Sequence, residues 1–156
     1  MSELHKNYVL GLMFDSGGRR VVLICKNKPE WQKGKLNGVG GKIERGERAA
    51  KAMCREFEEE TGVYTEESQW QVFCRMGGRD FNVFVYRAFS DAVLDGVRTV
   101  TDEPVGVYDA RGTSLRSSSI VSNLAWLIPM ALDRNDGFMF VAAVDYDRSE
   151  TVPNHP

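Results

Sequence analysis

The sequence predicts an α/β class domain with layers around a mixed β-sheet. Three observations predict it: short β-rich apolar runs alternate with turn signals, two stretches have helical length and patterning, and no repeat or linker separates them. The chain has 156 residues, enough for one domain with a real hydrophobic core. We expect a single domain over 1–156, with a core about 5–147 and a frayed tail about 148–156.

The runs "NYVLGLMF" (7–14) and "RVVLICK" (20–26), separated by "DSGGR", read as two paired strands. Residues 27–39, "NKPEWQKGKLNGV", read as a loop rich in Lys, Gly and Asn. "GGKI" then leads into a helix from about Glu47 to Thr61, with Gly62 as its stop. Strands follow at about 69–76 and 81–89, joined by a "GGRD" turn, and "PVGVYDA" forms a further short element. "RGTSLRSSS" reads as a mobile loop, "SNLAWLIPMALD" as a helix bent by Pro129, and "GFMFVAAVDY" as a last strand.

Hydrophobic residues make up 42% and charged residues 27%, and the net charge is −2. That balance excludes a general binder of nucleic acid polymers and a polybasic membrane protein. The apolar runs are too short to span a bilayer, and the first residues lack a basic leader, so we expect a cytoplasmic protein. Cys25, Cys54 and Cys74 form no CxxC pair, and the histidines are His5 and His155 alone. A Cys/His zinc site or Cys-His nucleophile is therefore not expected; buried, reduced thiols are.

The stretch "GGKIERGERAAKAMCREFEEETGV" (40–63) sets a problem. It crowds Glu56, Glu58, Glu59 and Glu60 near a helix end, where the dipole favours cations and neighbouring acids repel. Helical rotation puts Ala49, Ala50, Met53, Cys54 and Phe57 on the core face. Glu56, Glu59 and Glu60 share the adjoining strip, and Glu58 points elsewhere. A solvated acidic face is the commonest reason for such a run. Here the alanine-rich side implies close packing, and a Gly-Gly strand end allows backbone to approach a ligand. Three anions beside a buried face call for a cation. All-oxygen donors favour Mg²⁺ or Mn²⁺, whose chemistry without a covalent nucleophile points to phosphate-ester or anhydride hydrolysis.

The spacing of Gly41, Glu47, Arg55-Glu56-Phe57, Glu59-Glu60 and Gly62-Val63 resembles the full signature of the Nudix hydrolases, box 41–63, with no departure. The order of elements is similar to the Nudix α/β/α sandwich over residues 5–147. The resemblance implies that Glu56, Glu59, Glu60 and the Gly40 carbonyl hold the divalent metal. Arg55 would orient the carboxylates through charge-assisted hydrogen bonds, and Glu47 would fix the loop against the helix. A further carboxylate from a later loop, as ligand or base, is assigned to Glu103 in "TDEPVGVYD", with Asp102 as fallback. Water would attack phosphorus, with a glutamate accepting its proton. Lys26, Lys35 and Lys42 are candidates to meet the phosphate chain, each with a solvated surface role as the plainer reading.

"KLNGVGGK" resembles the "WNGFGGK" stretch of the Nudix branch that hydrolyses oxidised purine nucleoside triphosphates. That likeness implies that Asn37 reads the base, although an Asn-Gly turn would account for it equally. "AWLIPMALDRNDGFMF" is similar to the branch's last helix and strand. The tryptophan and paired aspartates expected before that helix are replaced by "SSSIVSNLAW", with Asn123 a partial substitute. The implied activity is cleavage of a nucleoside triphosphate to a monophosphate and pyrophosphate. The alternatives are ADP-ribose, a sugar nucleotide or another nucleoside diphosphate derivative, and a non-catalytic nucleotide-binding module. A small-molecule nucleotide is the expected partner, with a homodimer left open.

Overall fold

Side-chain alternation along β1 (Lys6–Phe14) decides the architecture. Leu10, Leu12 and Phe14 enter one buried cluster, and Val9 and Met13 enter another. A strand buried on both faces must be central, and β1 is. A computed structural model describes residues 5–112, 119–134 and 139–145. In it β6 (Phe81–Phe89) lies parallel to β1 along its whole length, from Lys6↔Phe81 to Phe14↔Phe89.

On the other edge of β1, β4 (Val39–Lys42) pairs antiparallel from Tyr8↔Lys42 to Gly11↔Val39. β2 (Arg20–Cys25) meets β1 only at Phe14↔Val21, so the expected hairpin is a short one. The rest of β2 pairs with β3 (Leu36–Asn37) and with β7 (Val105–Asp109). β5 (Gln71–Gly77) joins β6 antiparallel and β8 (Phe140–Ala143) parallel. The sheet order is β3-β2-β1-β6-β5-β8, with β4 on β1 and β7 on β2.

Helix α1 (Ala49–Thr61) and a short α2 (Asp91–Gly96) cover one face, through Ala52, Met53, Phe57, Val93 and Leu94. Helix α3 (Leu124–Leu132) covers the other, through Leu124, Leu127, Ile128 and Ala131. The result is a three-layer α/β/α sandwich around a mixed sheet, as expected.

Several boundaries differ from the sequence reading. α1 begins at Ala49 rather than Glu47, because Arg48 is extended (φ −75°, ψ 148°) and Glu47 belongs to the preceding loop. Its core face is rotated as well: Ala52 is fully buried, whereas Ala49, Ala50 and Cys54 are only half-buried. The helix ends at Gly62, whose φ of 77° suits a residue without a Cβ. The Arg98 guanidinium packs over that glycine, supplying a cation at the C-terminal end of an acidic helix.

α2 was not read from the sequence. Its signal was Ser90, whose hydroxyl accepts the Val93 N–H at 3.2 Å as an N-cap. The loop read over 27–39 contains a 3₁₀ turn at Glu30–Gln32, β3 and the first residue of β4. Residues 113–118 of the expected mobile loop and the tail from 146 lie outside the described residues. Among the described residues the cysteines are free: Cys74 is buried, its thiol pushed up to about 11 by desolvation, and Cys25 and Cys54 are half-buried.

One buried charge ties the α3 layer to the sheet. Arg87 of β6 is 3% exposed and donates to the carbonyls of Ala131 (3.0 Å) and Asp133 (2.8 Å) at the end of α3. Its other donors reach Gln71 Oε1 at 3.2 and 3.1 Å, and its plane lies over Phe73. The cation thus satisfies helix-end carbonyls where the dipole favours it. Arg87→Met should lower stability by about 2–4 kcal/mol, since it removes four charge-assisted hydrogen bonds and strands the buried Ala131 carbonyl. A urea melt with an unchanged m-value and a lower midpoint would show this; an unchanged midpoint would refute it.

Candidate active site

Burial of Met53 and Phe57 sets the rotation of α1, and that rotation leaves Arg55, Glu56, Glu59 and Glu60 along one border of the helix. Arg55 is the hub of this strip. Its Nε and Nη2 grip Glu47 as a fork (2.8 and 2.9 Å). Nη1 donates to Glu56 at 2.9 Å and to Glu59 at 3.3 Å, and Nη2 also donates to the Lys42 carbonyl at 3.0 Å. Glu47 in turn accepts the Glu44 N–H at 3.1 Å. One guanidinium therefore joins helix, loop and strand, and Glu47 has the loop-fixing place expected of it.

The carboxylates differ in exposure. The Glu56 side chain is 13% exposed and that of Glu59 is 56% exposed. Burial raises the proton affinity of Glu56 and the charges of Glu59 and Glu60 add to it, against the pull of Arg55. Glu47 moves the other way. The hydrogen-bonded fork from Arg55 outweighs desolvation and holds its carboxyl below the usual range.

Gly41 brings strand β4 against this strip, while Gly40 packs on the β1 backbone at Val9 and Leu10. A Cβ on Gly41 would overlap the Glu56 carboxylate, so only glycine leaves that carboxylate its cradle. Among the described residues, no three His, Cys, Asp or Glu side chains converge on a common point. Each acid is held by something else: Glu56 and Glu59 by Arg55, and Glu60 by the Thr101 hydroxyl, which donates to it at 2.9 Å. The donors are nonetheless all oxygen, crowded and anionic, which suits a hard divalent cation once the side chains turn.

Glu103 is 4% exposed, two residues before the start of β7. Lys26 Nζ donates to its Oε1 at 3.1 Å, and the Asn27 N–H donates to its Oε2 at 2.6 Å. The Glu103 N–H donates to Thr101 Oγ1 at 3.1 Å, so Thr101 links the backbone of Glu103 to Glu60. Asp102, the fallback, is exposed and receives the Asn27 side-chain amide at 3.2 Å.

A cleft of about 940 Å³ opens beside the ledge, with Gly40 and Gly41 in its wall. Lys26, Asn37 and Asn123 line it, as do Tyr8, Trp31 and Phe81. Asn37 is held by its neighbours: its Oδ1 accepts the Gly38 N–H at 2.8 Å and its Nδ2 donates to Gln32 at 3.1 Å. Asn123 stands at the N-terminus of α3. Lys42 is exposed outside the cleft lining and contributes its carbonyl to Arg55, and Lys35 is likewise absent from the lining.

A family model described as the NUDIX domain matches residues 4–111, which include the ledge, Gly40-Gly41 and Glu103. The chain belongs to the Nudix family. As a Nudix enzyme it is a pyrophosphohydrolase. Solved Nudix structures share its fold. A MutT of the Aliivibrio salmonicida and Vibrio cholerae pair is 23% identical with a TM-score of 0.57, covering 67% of this chain and 80% of that one. A MutT Nudix hydrolase from Burkholderia pseudomallei is 21% identical with a TM-score of 0.65, covering 82% and 98%. A Nudix hydrolase from Nitrosomonas europaea is 14% identical with a TM-score of 0.63, covering 92% and 81%. None of the curated proteins compared matches this Nudix chain. Among its described residues no helix is long and apolar enough to cross a membrane.

Sequence reasoning missed Thr101, Gln32 and the aromatic wall of the cleft. Trp31 carried the only visible signal, a large aromatic side chain in an otherwise polar loop; it is 49% exposed.

The Arg55–Glu47 fork gives a pH prediction. A carboxyl whose folded pKa is depressed adds stability above its unfolded pKa, near the usual glutamate value, and loses it as pH falls through the folded one. Glu47→Gln should therefore be less stable than the parent at pH 7, and the gap should close in acid below the ordinary glutamate range. Thermal melts from pH 7 to pH 3 test this; a gap independent of pH would refute it.

Proposed function

We propose that the enzyme cleaves a purine nucleoside triphosphate to the monophosphate and pyrophosphate, with Mg²⁺ or Mn²⁺ as cofactor. One observation carries the reading: Gly41 lies against the Glu56 carboxylate of the acidic ledge and, with Gly40, lines a cleft of nucleotide size, about 940 Å³. A nucleoside seated in the cleft would present its phosphates across that wall to the ledge.

The Gly40 carbonyl, Glu56, Glu59, Glu60 and Glu103 would hold the metal, which when bound would acidify a water and neutralise phosphate charge. Arg55 keeps Glu56 and Glu59 oriented and, through Glu47 and Lys42, holds the strip at a fixed height above β4. Glu59 is our choice to take the proton from the attacking water, because its side chain is 56% exposed while that of Glu103 is enclosed. Lys26 would meet a phosphate oxygen. The Asn37 and Asn123 amides would face the base edge, and Trp31, Tyr8 and Phe81 would exclude water from its faces. An oxidised purine, with its additional donor and acceptor, suits an amide-lined site. Three free thiols fit a reducing compartment, and we place the enzyme in the cytoplasm.

Incubation with a panel of nucleotides and nucleotide sugars plus Mg²⁺, with products read by mass, tests the assignment. Pyrophosphate with a nucleoside monophosphate is expected; two monophosphates from a sugar nucleotide would move the substrate to that class. Glu59→Gln should lower kcat by about 10²-fold or more with the fold intact by circular dichroism. Near-parental turnover would remove Glu59 from the chemistry. Asn37→Ala should raise KM for the preferred base more than for other bases, and a uniform effect would leave Asn37 only the loop-shaping role.

A further inference from the structure

Two side chains assigned to different tasks are bonded to one another. Lys26 lines the cleft where phosphates would lie, and Glu103 would complete the metal site. Yet Lys26 holds Glu103 at 3.1 Å, with their side chains only 18% and 6% exposed. The second carboxylate oxygen of Glu103 receives the Asn27 N–H at 2.6 Å. While both oxygens are engaged, Glu103 has its negative charge answered and little left to offer a cation.

We propose that Lys26 is a specificity-determining residue: it releases Glu103 to the metal only when a substrate phosphate takes Glu103's place on the ammonium. The proposal rests on the pyrophosphohydrolase reading and adds to it a condition on substrate. Charge balance sets that condition. A divalent ion arriving alone would pull Glu103 away and leave a half-buried ammonium facing added positive charge. An anion arriving alone would draw Lys26 away and leave a buried carboxylate uncompensated, which is strongly unfavourable. Together, the phosphate satisfies Lys26 and the ion satisfies Glu103. Binding of the two is thus coupled, and the coupling is reciprocal.

Thr101 makes the exchange short. Its hydroxyl donates to Glu60 at 2.9 Å and accepts the Glu103 N–H at 3.1 Å, so the Glu103 backbone is already tethered beside a ledge carboxylate. Only the side chain has to turn. The device selects by phosphate reach: a compound whose phosphates stop short of Lys26 leaves Glu103 locked and is cleaved poorly, whatever its base.

Mn²⁺ titration of the nucleotide-free protein by electron paramagnetic resonance at pH 8 tests the lock. Lys26→Met should bind Mn²⁺ about tenfold more tightly than the parent while raising KM for the triphosphate. Adding Glu103→Gln should remove that gain, and Lys26→Arg, which can still pair with Glu103, should restore parental Mn²⁺ affinity. Unchanged or weaker Mn²⁺ binding by a folded Lys26→Met protein would overturn the proposal. A second measurement needs no variant: the amide resonance of Asn27 reports its hydrogen bond to Glu103. It should stay in place with Mg²⁺ alone and move when Mg²⁺ and a non-hydrolysable triphosphate analogue are added together. Movement with Mg²⁺ alone would overturn the exchange. So would a fixed resonance in a protein that turns over triphosphates. Absence of turnover on every phosphoanhydride would instead overturn the hydrolase reading beneath it.

Discussion

One guanidinium makes the acidic face of α1 tolerable. Without Arg55, Glu56 would sit half-desolvated beside Glu59 and Glu60 with no cation in reach, an arrangement that burial and mutual repulsion both disfavour. With it, the repulsion is converted into a scaffold. The same planar group that neutralises Glu56 and Glu59 also clamps Glu47 and the Lys42 carbonyl, so the helix cannot turn or slide without breaking bonds to loop and strand together. Lysine could supply the charge but not the five directed donors that bind three elements at once.

The position of this scaffold follows from the sheet. β4 is four residues long, pairs with the central strand and carries two glycines side by side. Because Gly41 has no side chain, the strand can lie directly against Glu56, and because both glycines also line the cleft, the ledge and the cleft share one thin wall. Ledge and cleft are brought side by side by the absence of atoms rather than by any added group. The electrostatics then divide the acids: Glu56 is sheltered and reluctant to ionise, Glu59 is open to water, and Glu103 is locked to Lys26.

What could be read from the sequence was local in the chain. The helical spacing of Glu56, Glu59 and Glu60, the stop at Gly62 and the Gly-Gly approach of β4 all lie within 40–63, and each follows from backbone periodicity or the missing Cβ. β6 was read to its exact bounds because nine residues of β-rich sequence lie between a turn and Ser90. The helix start was misplaced by two residues because Glu47 has high helical propensity but spends its side chain on Arg55 and the Glu44 N–H. Ala52 was overlooked as core because the face was drawn through Ala49, Ala50, Met53, Cys54 and Phe57, and the packed face is turned from it towards Ala52. The Lys26–Glu103 and Thr101–Glu60 bonds span 77 and 41 residues, and no local pattern marks such pairs. Lys26 and Glu103 were each singled out, but their contact depends on how β2 and β7 register, from Arg20↔Asp109 to Ile24↔Val105.

β1 sends alternate side chains into two separate interiors, Val9 and Met13 towards the carboxylate helix, Leu10 and Leu12 towards α3. Much of the cleft floor, with Leu10, Met76 and Val83, belongs to the second interior, while the carboxylate helix is anchored in the first through Met53 and Phe57. A plate of backbone stands between them. On such a partition, side chains of the α3 flank can be exchanged while Met53 and Phe57 keep the carboxylate helix seated on the other.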